Sequence, residues 1–186
     1  VLPLRGKVLN IEKASLDKVF ENKEIQTMLT AFTTNQSYGD DFDITKMRYG
    51  KVVIMTDADV DGAHITTLLL TFFYRYFKQL IQDGYVYIAL TPLYIVDYNE
   101  KGSKVRKQIF LYNDKELATF KKSTNKILKV SRAKGLGELD KDQLKVAAFD
   151  EKTRRLVKVR IEDAIQADKT TSLLMGSVVE GRKKLI

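Results

Sequence analysis

The run Thr56-Asp57-Ala58-Asp59-Val60-Asp61-Gly62 sets three carboxylates at alternate positions directly after Lys51-Val52-Val53-Ile54-Met55, a β-branched apolar segment. If the strand geometry of that segment continues, residues two apart project to one side and several negative oxygens share a small volume. A cation relieves the repulsion. Carboxylate and water oxygens suit magnesium, and paired magnesium ions can stabilise attacking and leaving oxygens in phosphoryl transfer. An acidic surface turn would use the same residues. The string D-x-D-x-D-G also opens an EF-hand calcium loop, which requires Glu at its twelfth position and helices on both flanks. Here Leu68 stands twelfth and a strand precedes. The calcium reading is set aside, and Asp57, Asp59 and Asp61 are the candidate metal ligands.

The elements that position this loop follow from periodicity. Lys51 to Met55 ends abruptly in acid, as a buried strand of a parallel sheet would. From Ala63 to about Gln82 the pattern is helical and apolar almost all round, with Gly84 as terminator. Tyr85 to Tyr98 reads as strand, proline break and strand, which completes a βαβ unit with a right-handed crossover. Ligands of such sheets bind beyond the strand C-termini, where Asp57 lies. Upstream, Ser15 can cap a helix that begins at Leu16 and breaks near Asn22, and Thr33 to Asp43 is a polar loop. Downstream, strands are expected at Gln108 to Tyr112, Lys126 to Ser131 and Arg154 to Ile161. Helices are expected at Asp114 to Lys122, Lys141 to Phe149 and Glu162 to Met175.

Composition narrows the partners. The 186 residues carry a formal net charge of +8, which attracts polyanions, nucleic acid foremost, although basic proteins also occur for solubility alone. With no cysteine there is no disulfide framework, no thiolate nucleophile and no cysteine zinc site, and a cytoplasmic location is expected. The N-terminus lacks both the features of a signal peptide and an initiator Met, so the chain reads as beginning partway through a longer one. The longest apolar stretch, Ile65 to Ile81, is interrupted by Thr66, Thr67, Thr71, Arg75, Lys78 and Gln79. It is too polar and too short for a membrane span, and no membrane partner is expected.

The stretch KVVIMTDADVDGAHITTLLLTFFYRYF resembles the Toprim signature of the B subunits of bacterial-type type IIA DNA topoisomerases almost residue for residue. PLRGKVLNIEKA, KGLGE, TRRLVKVRIEDA and LMGSVVEGR resemble further landmarks of that family, so the resemblance covers nearly the whole chain. It implies an α/β fold: a Toprim-type parallel sheet flanked by helices, with a smaller mixed α/β C-terminal tail. Residues 1–112 would form the Toprim domain without its first strand, and 113–186 a tail that contacts the partner subunit and DNA. The implied activity is magnesium- and ATP-dependent double-strand DNA cleavage, passage and religation in an A2B2 complex.

By the same resemblance Asp57 and Asp59 bind magnesium. Asp57 touches both metal positions, Asp59 completes the noncatalytic one, and Asp61, at a further acidic position of the motif, supports charge balance or the order of the groups around the ligands, with a solvated loop aspartate as the alternative. The cleavage tyrosine belongs to the A subunit, the ATP-using module lies upstream, and so does the family's catalytic Glu, in an E-G-D-S-A-G-like motif. The chain departs from the family in having Ala before KGLGE, where an aromatic is usual, and VEGR in place of VEPR. The stretch AFTTNQSYGDDFD leans towards the gyrase branch, with topoisomerase IV as the alternative. A non-catalytic DNA-binding and subunit-docking module is the rival of another class, and a Toprim nuclease or primase fits the long flanks poorly.

Six residues are candidates for DNA contact. Lys7 and Asn10 match family positions that touch DNA, and Arg5 lies near the drug-sensitive region of the family. His64, the only histidine, follows the acidic loop. Lys134 in the glycine loop and Arg182 in the tail are weaker, because charge runs are usually solvated. Tyr74, Tyr76 and Phe77 are read as helix core.

Overall fold

A computed structural model describes residues 1–32, 38–123, 126–133, 135–162 and 164–183. The chain forms two compact units, one of Val1–Ile54, His64–Tyr87 and Lys158–Ile186, the other of Met55–Ala63 and Ile88–Val157. The expected polar loop at 33–43 lies partly outside the described residues; its described end holds a 3-10 turn at Gly39–Asp41.

In the first unit, α1 (Leu16–Glu21) follows Ser15 and stops at Asn22, where α2 (Lys23–Phe32) begins. The expected break has a visible cause. Asn22 Oδ1 accepts from the Glu24 and Ile25 N–H groups at 3.1 Å each, so its side chain satisfies two donors that the new helix leaves without partners. Strand β1 (Val52–Ile54) leads into α3 (Val60–Tyr76), α4 (Lys78–Gln82) and β2 (Val86–Ala89). With the later β6 (Leu156–Lys158), these strands form a sheet in the order β1-β2-β6. Val52 N–H donates to Tyr85 O at 2.8 Å and Val159 N–H to Val86 O at 3.0 Å.

The long helix expected from Ala63 to Gln82 is two helices. Phe77 leaves helical geometry, at φ −140°, and its fully buried ring meets Phe32, Phe42 and Phe72 at centroid distances of 5.7, 5.0 and 5.5 Å. Phe72, Phe73, Leu80, Ile25 and Met28 complete this apolar centre. Tyr74 and Tyr76 are half-buried beside it, and Tyr74 Oη donates to Ala164 O. Of the three aromatics read as helix core, Phe77 is buried at the break between the helices, while Tyr74 and Tyr76 are only half-buried.

Arg75, on the same helix, ties three segments of this unit together. Its guanidinium donates to both carboxylate oxygens of Glu12 at 2.7 Å, to Asp168 at 2.5 Å and to Ser172 Oγ at 3.0 Å. A fork-shaped donor meeting a carboxylate in this way fixes orientation as well as charge. The Glu12 hydrogen bond is the main reason the guanidinium is held protonated even more firmly than usual.

In the second unit, β3 (Tyr94–Asn99) is central to an antiparallel sheet, between β4 (Arg106–Leu111) and β5 (Lys126–Arg132). The sequence reading placed the strand after Pro92 in the βαβ sheet; only β2 stays there, and β3 pairs elsewhere. Helix α5 (Asp114–Lys121), capped by Asn113 Oδ1 on Glu116 N–H, covers one face with Leu117 and Phe120 against Val96 and Leu111. On the other face the buried Asp97 accepts from Arg106 at 2.6 Å and Gln108 at 3.0 Å. The Arg106 guanidinium, with help from Gln108, holds the Asp97 carboxyl below the usual carboxylate range.

After a 3-10 turn at Leu136–Glu138, α6 (Lys141–Leu144) opens with an Asp140/Gln143 capping box and runs into one π-helical turn at Lys145–Phe149. The helix expected there is present, with an irregular second half. In the tail of the first unit, α7 (Ala164–Met175) and α8 (Glu180–Lys183) follow; α7 ends before Gly176 as expected. Helices and mixed sheets together make the α/β fold that the sequence implied. No helix of the described residues is long and apolar enough to cross a membrane.

Candidate metal site and the basic groups assigned to DNA

The acidic loop leaves β1 at Ile54 and becomes α3 at Val60, three residues earlier than the sequence suggests. Strand geometry therefore does not continue through it, and the three carboxylates are not equivalent. Asp59 is the residue immediately before the helix. Its Oδ1 accepts from Gly62 N–H at 2.7 Å while its carbonyl accepts from Ala63 N–H at 3.0 Å, the pattern of a helix N-cap. Asp61 sits in the first turn of α3, where negative charge suits the helix dipole. All three are exposed.

Gly62 is required by close approach. A Cβ built there would overlap the carbonyl oxygen of Asp57 and lie 2.8 Å from its carbonyl carbon. Both are backbone atoms, so relief requires a main-chain shift. The first turn of α3 thus folds tightly over the Asp57 peptide.

Asp57 is also held by the KGLGE loop of the same unit. Its Oδ1 accepts from Leu136 N–H at 2.7 Å, and a Cβ on Gly135 would lie 3.0 Å from Oδ2 and 3.2 Å from Cγ. Ala58, Pro92, Ala133 and Leu139 line a small apolar cleft beside this contact. Sequence reading missed the pairing, which joins positions 79 apart. Its one visible signal is the pair of glycines flanking Leu136.

Among the described residues, nothing donates to Oδ2 of Asp57 or of Asp59. Two exposed carboxylates with open oxygens fit a magnesium ion, which takes one or two carboxylates and keeps several waters. They do not amount to a closed cage. Among the described residues no three acidic or histidine side chains converge on a common point.

The basic candidates fall outside this unit or outside the described residues. Arg5, Lys7, Asn10, His64 and Arg182 belong to the first unit, and Lys134 is not described. Arg5, Lys7 and His64 are exposed. The Asn10 amide is engaged at both ends, with Nδ2 donating to Met175 O at 2.9 Å and Oδ1 accepting from Glu12 N–H at 3.1 Å. Arg182 Nη1 donates to the Leu174 and Gly176 carbonyls at 2.8 and 2.9 Å, closing the C-terminal end of α7. These two residues have internal structural work that the sequence did not reveal.

Comparison with known proteins agrees with this architecture. Residues 1–91 match the Toprim domain, and residues 125–186 match the carboxyl terminus of the DNA gyrase B subunit. A Toprim domain followed by that segment defines the B-subunit class of type IIA topoisomerases, and the chain belongs to this family. Within it, the chain is 52% identical over 188 aligned residues to the DNA gyrase B subunits of Staphylococcus aureus strains N315 and MRSA252. The DNA gyrase B subunit of Staphylococcus epidermidis shows the same identity over the same length. Each alignment covers 100% of this chain and 28% of the relative, so the chain spans just over a quarter of their length.

Proposed function

We propose that this chain is the Toprim-bearing part of a DNA gyrase B subunit, in which Asp57 and Asp59 hold magnesium for double-strand DNA cleavage and religation. The observation that carries this reading is a pair of exposed carboxylates with open oxygens at the end of β1, one of them fixed by Leu136, in a segment that matches Toprim. Asp57 and Asp59 would hold the ion, and Asp61 would add charge from the first helical turn. When bound, magnesium neutralises charge at the scissile phosphate. The residues of the chain orient its carboxylate oxygens. The nucleophile is the tyrosine of an A-subunit partner in an A2B2 complex, and ATP is used by another module of that complex, as the family resemblance implies. The topoisomerase IV reading is not favoured, because the relatives at 52% identity are gyrase B subunits. Relatives from bacteria, and a DNA substrate, support a cytoplasmic location.

DNA is held through its phosphates in this reading. Arg5, Lys7 and His64 supply exposed donors; Asn10, Lys134 and Arg182 are secondary contacts, since Asn10 and Arg182 already serve the fold. The chain is expected to bind duplex DNA weakly and with little sequence preference. In a titration against salt, each phosphate neutralised contributes a slope of about −0.9 in log K against log salt. Lys7→Ala is expected to make the slope shallower by about that amount. A salt-independent affinity would rule out phosphate contact, and an unchanged slope would remove Lys7 from the interface.

A further inference from the structure

Asp57 lies in the Toprim match, whereas Leu136 lies in the carboxyl-terminal match. We propose that the Gly135–Leu136 backbone is a positioning element for the metal ligand, so that the metal site of the Toprim segment is incomplete without the carboxyl-terminal segment. This rests on the metal reading above and goes beyond it, because it gives residues outside the Toprim match a share in metal affinity.

Two observations carry the inference independently. The first is directional: Leu136 N–H donates to Asp57 Oδ1 at 2.7 Å, which fixes the rotation of the carboxylate and leaves Oδ2 open. Outer groups that orient a ligating side chain in this way commonly account for ten- to hundredfold in metal affinity. The second is steric. The carboxylate lies against Gly135, so close that a Cβ would stand 3.0 to 3.3 Å from its two oxygens and Cγ. Gly137, two residues on, has nothing within 4 Å of such a Cβ. Of the two glycines in the loop, only Gly135 is needed for contact with Asp57.

The local backbone permits a clean removal of the donor. Gly135 is fully extended, at φ −167° and ψ 167°, as a residue before proline prefers, and Leu136 is the first residue of a 3-10 turn. Leu136→Pro therefore deletes the N–H with little strain, and Leu136→Ala retains the N–H while removing the side chain.

The experiment titrates manganese(II), as a spectroscopic stand-in for magnesium, into the full 186-residue chain and reads free ion by electron paramagnetic resonance. Circular dichroism checks the fold of every variant. Leu136→Pro and Gly135→Ala are expected to weaken binding about tenfold, and Leu136→Ala and Gly137→Ala to bind as the parent does. In the metal-free chain, exchange of the Leu136 amide is expected to be slowed, and to accelerate in Asp57→Ala. If Leu136→Pro binds manganese like the parent while Asp57→Asn loses it, the positioning role is overturned and the metal reading stands. If Asp57→Asn itself binds like the parent, the metal reading falls. An amide exchange rate indifferent to Asp57→Ala would show that the contact is absent in solution and would overturn the inference.

Discussion

Asp57→Asn is expected to lower magnesium-dependent DNA cleavage by about a hundred- to a thousandfold in a reconstituted complex. The size follows from the several kilocalories per mole that a divalent ion contributes to charge stabilisation at a phosphoryl centre. An amide oxygen is a neutral and weaker donor than a carboxylate. The substitution keeps the shape of the side chain and an acceptor for Leu136 N–H, so the fold is expected to persist. The carboxylates of the loop are exposed, and removing one charge is expected to shift the melting temperature little. Plasmid cleavage trapped with denaturant, measured beside a thermal melt, separates the two effects. Cleavage within a few-fold of the parent would remove Asp57 from the metal site.

Gly62→Ala is expected to cost about 1 to 3 kcal/mol, because the added methyl meets the backbone of Asp57, which cannot rotate away. For a chain of this size that lowers the melting temperature by roughly 2 to 12 °C. The same movement displaces the Asp57 carboxylate, so stability and manganese affinity are expected to fall together. Asp59 provides the contrast within the same turn. Asp59→Asn retains a good cap and is expected to melt as the parent does while binding metal less tightly. Asp59→Ala loses the cap as well, at about 1 kcal/mol. A melt of Gly62→Ala that matches the parent would mean that α3 does not fold over Asp57 as described.

The contrast shows what the residues disclosed on their own. A β-branched run ending in carboxylates announced a loop at a strand end, and β1 and α3 flank it as expected. The helix start was misplaced by three residues because an aspartate that caps a helix and an aspartate that holds a metal are the same residue type. Only the Gly62 and Ala63 N–H bonds distinguish them. Asn10 and Arg182 pose the same problem: a donor suited to a phosphate is equally suited to a main-chain carbonyl. The apolar run and the proline break marked the strand after Pro92 correctly but carry no information on which sheet it joins, and β3 pairs with β4 and β5. Nor does any local pattern connect Asp57 with Leu136, since a backbone N–H has no side-chain signature.

Among the described residues two carboxylates and no third converging acid leave room for one more ligand, and the family resemblance implies a glutamate in an E-G-D-like motif as that ligand. The most direct measurement therefore extends the chain upstream to include that E-G-D-like strand and adds the tyrosine-bearing partner, plasmid DNA and magnesium. Linear DNA released by denaturant is the readout. The extended chain is expected to accumulate cleaved DNA with magnesium, and the Glu→Gln form of the extension to show almost none. Equal cleavage by the 186-residue chain alone with its partner would contradict the placement of the site. Glu138, in the loop that holds Asp57, would then be the residue to test as the missing ligand.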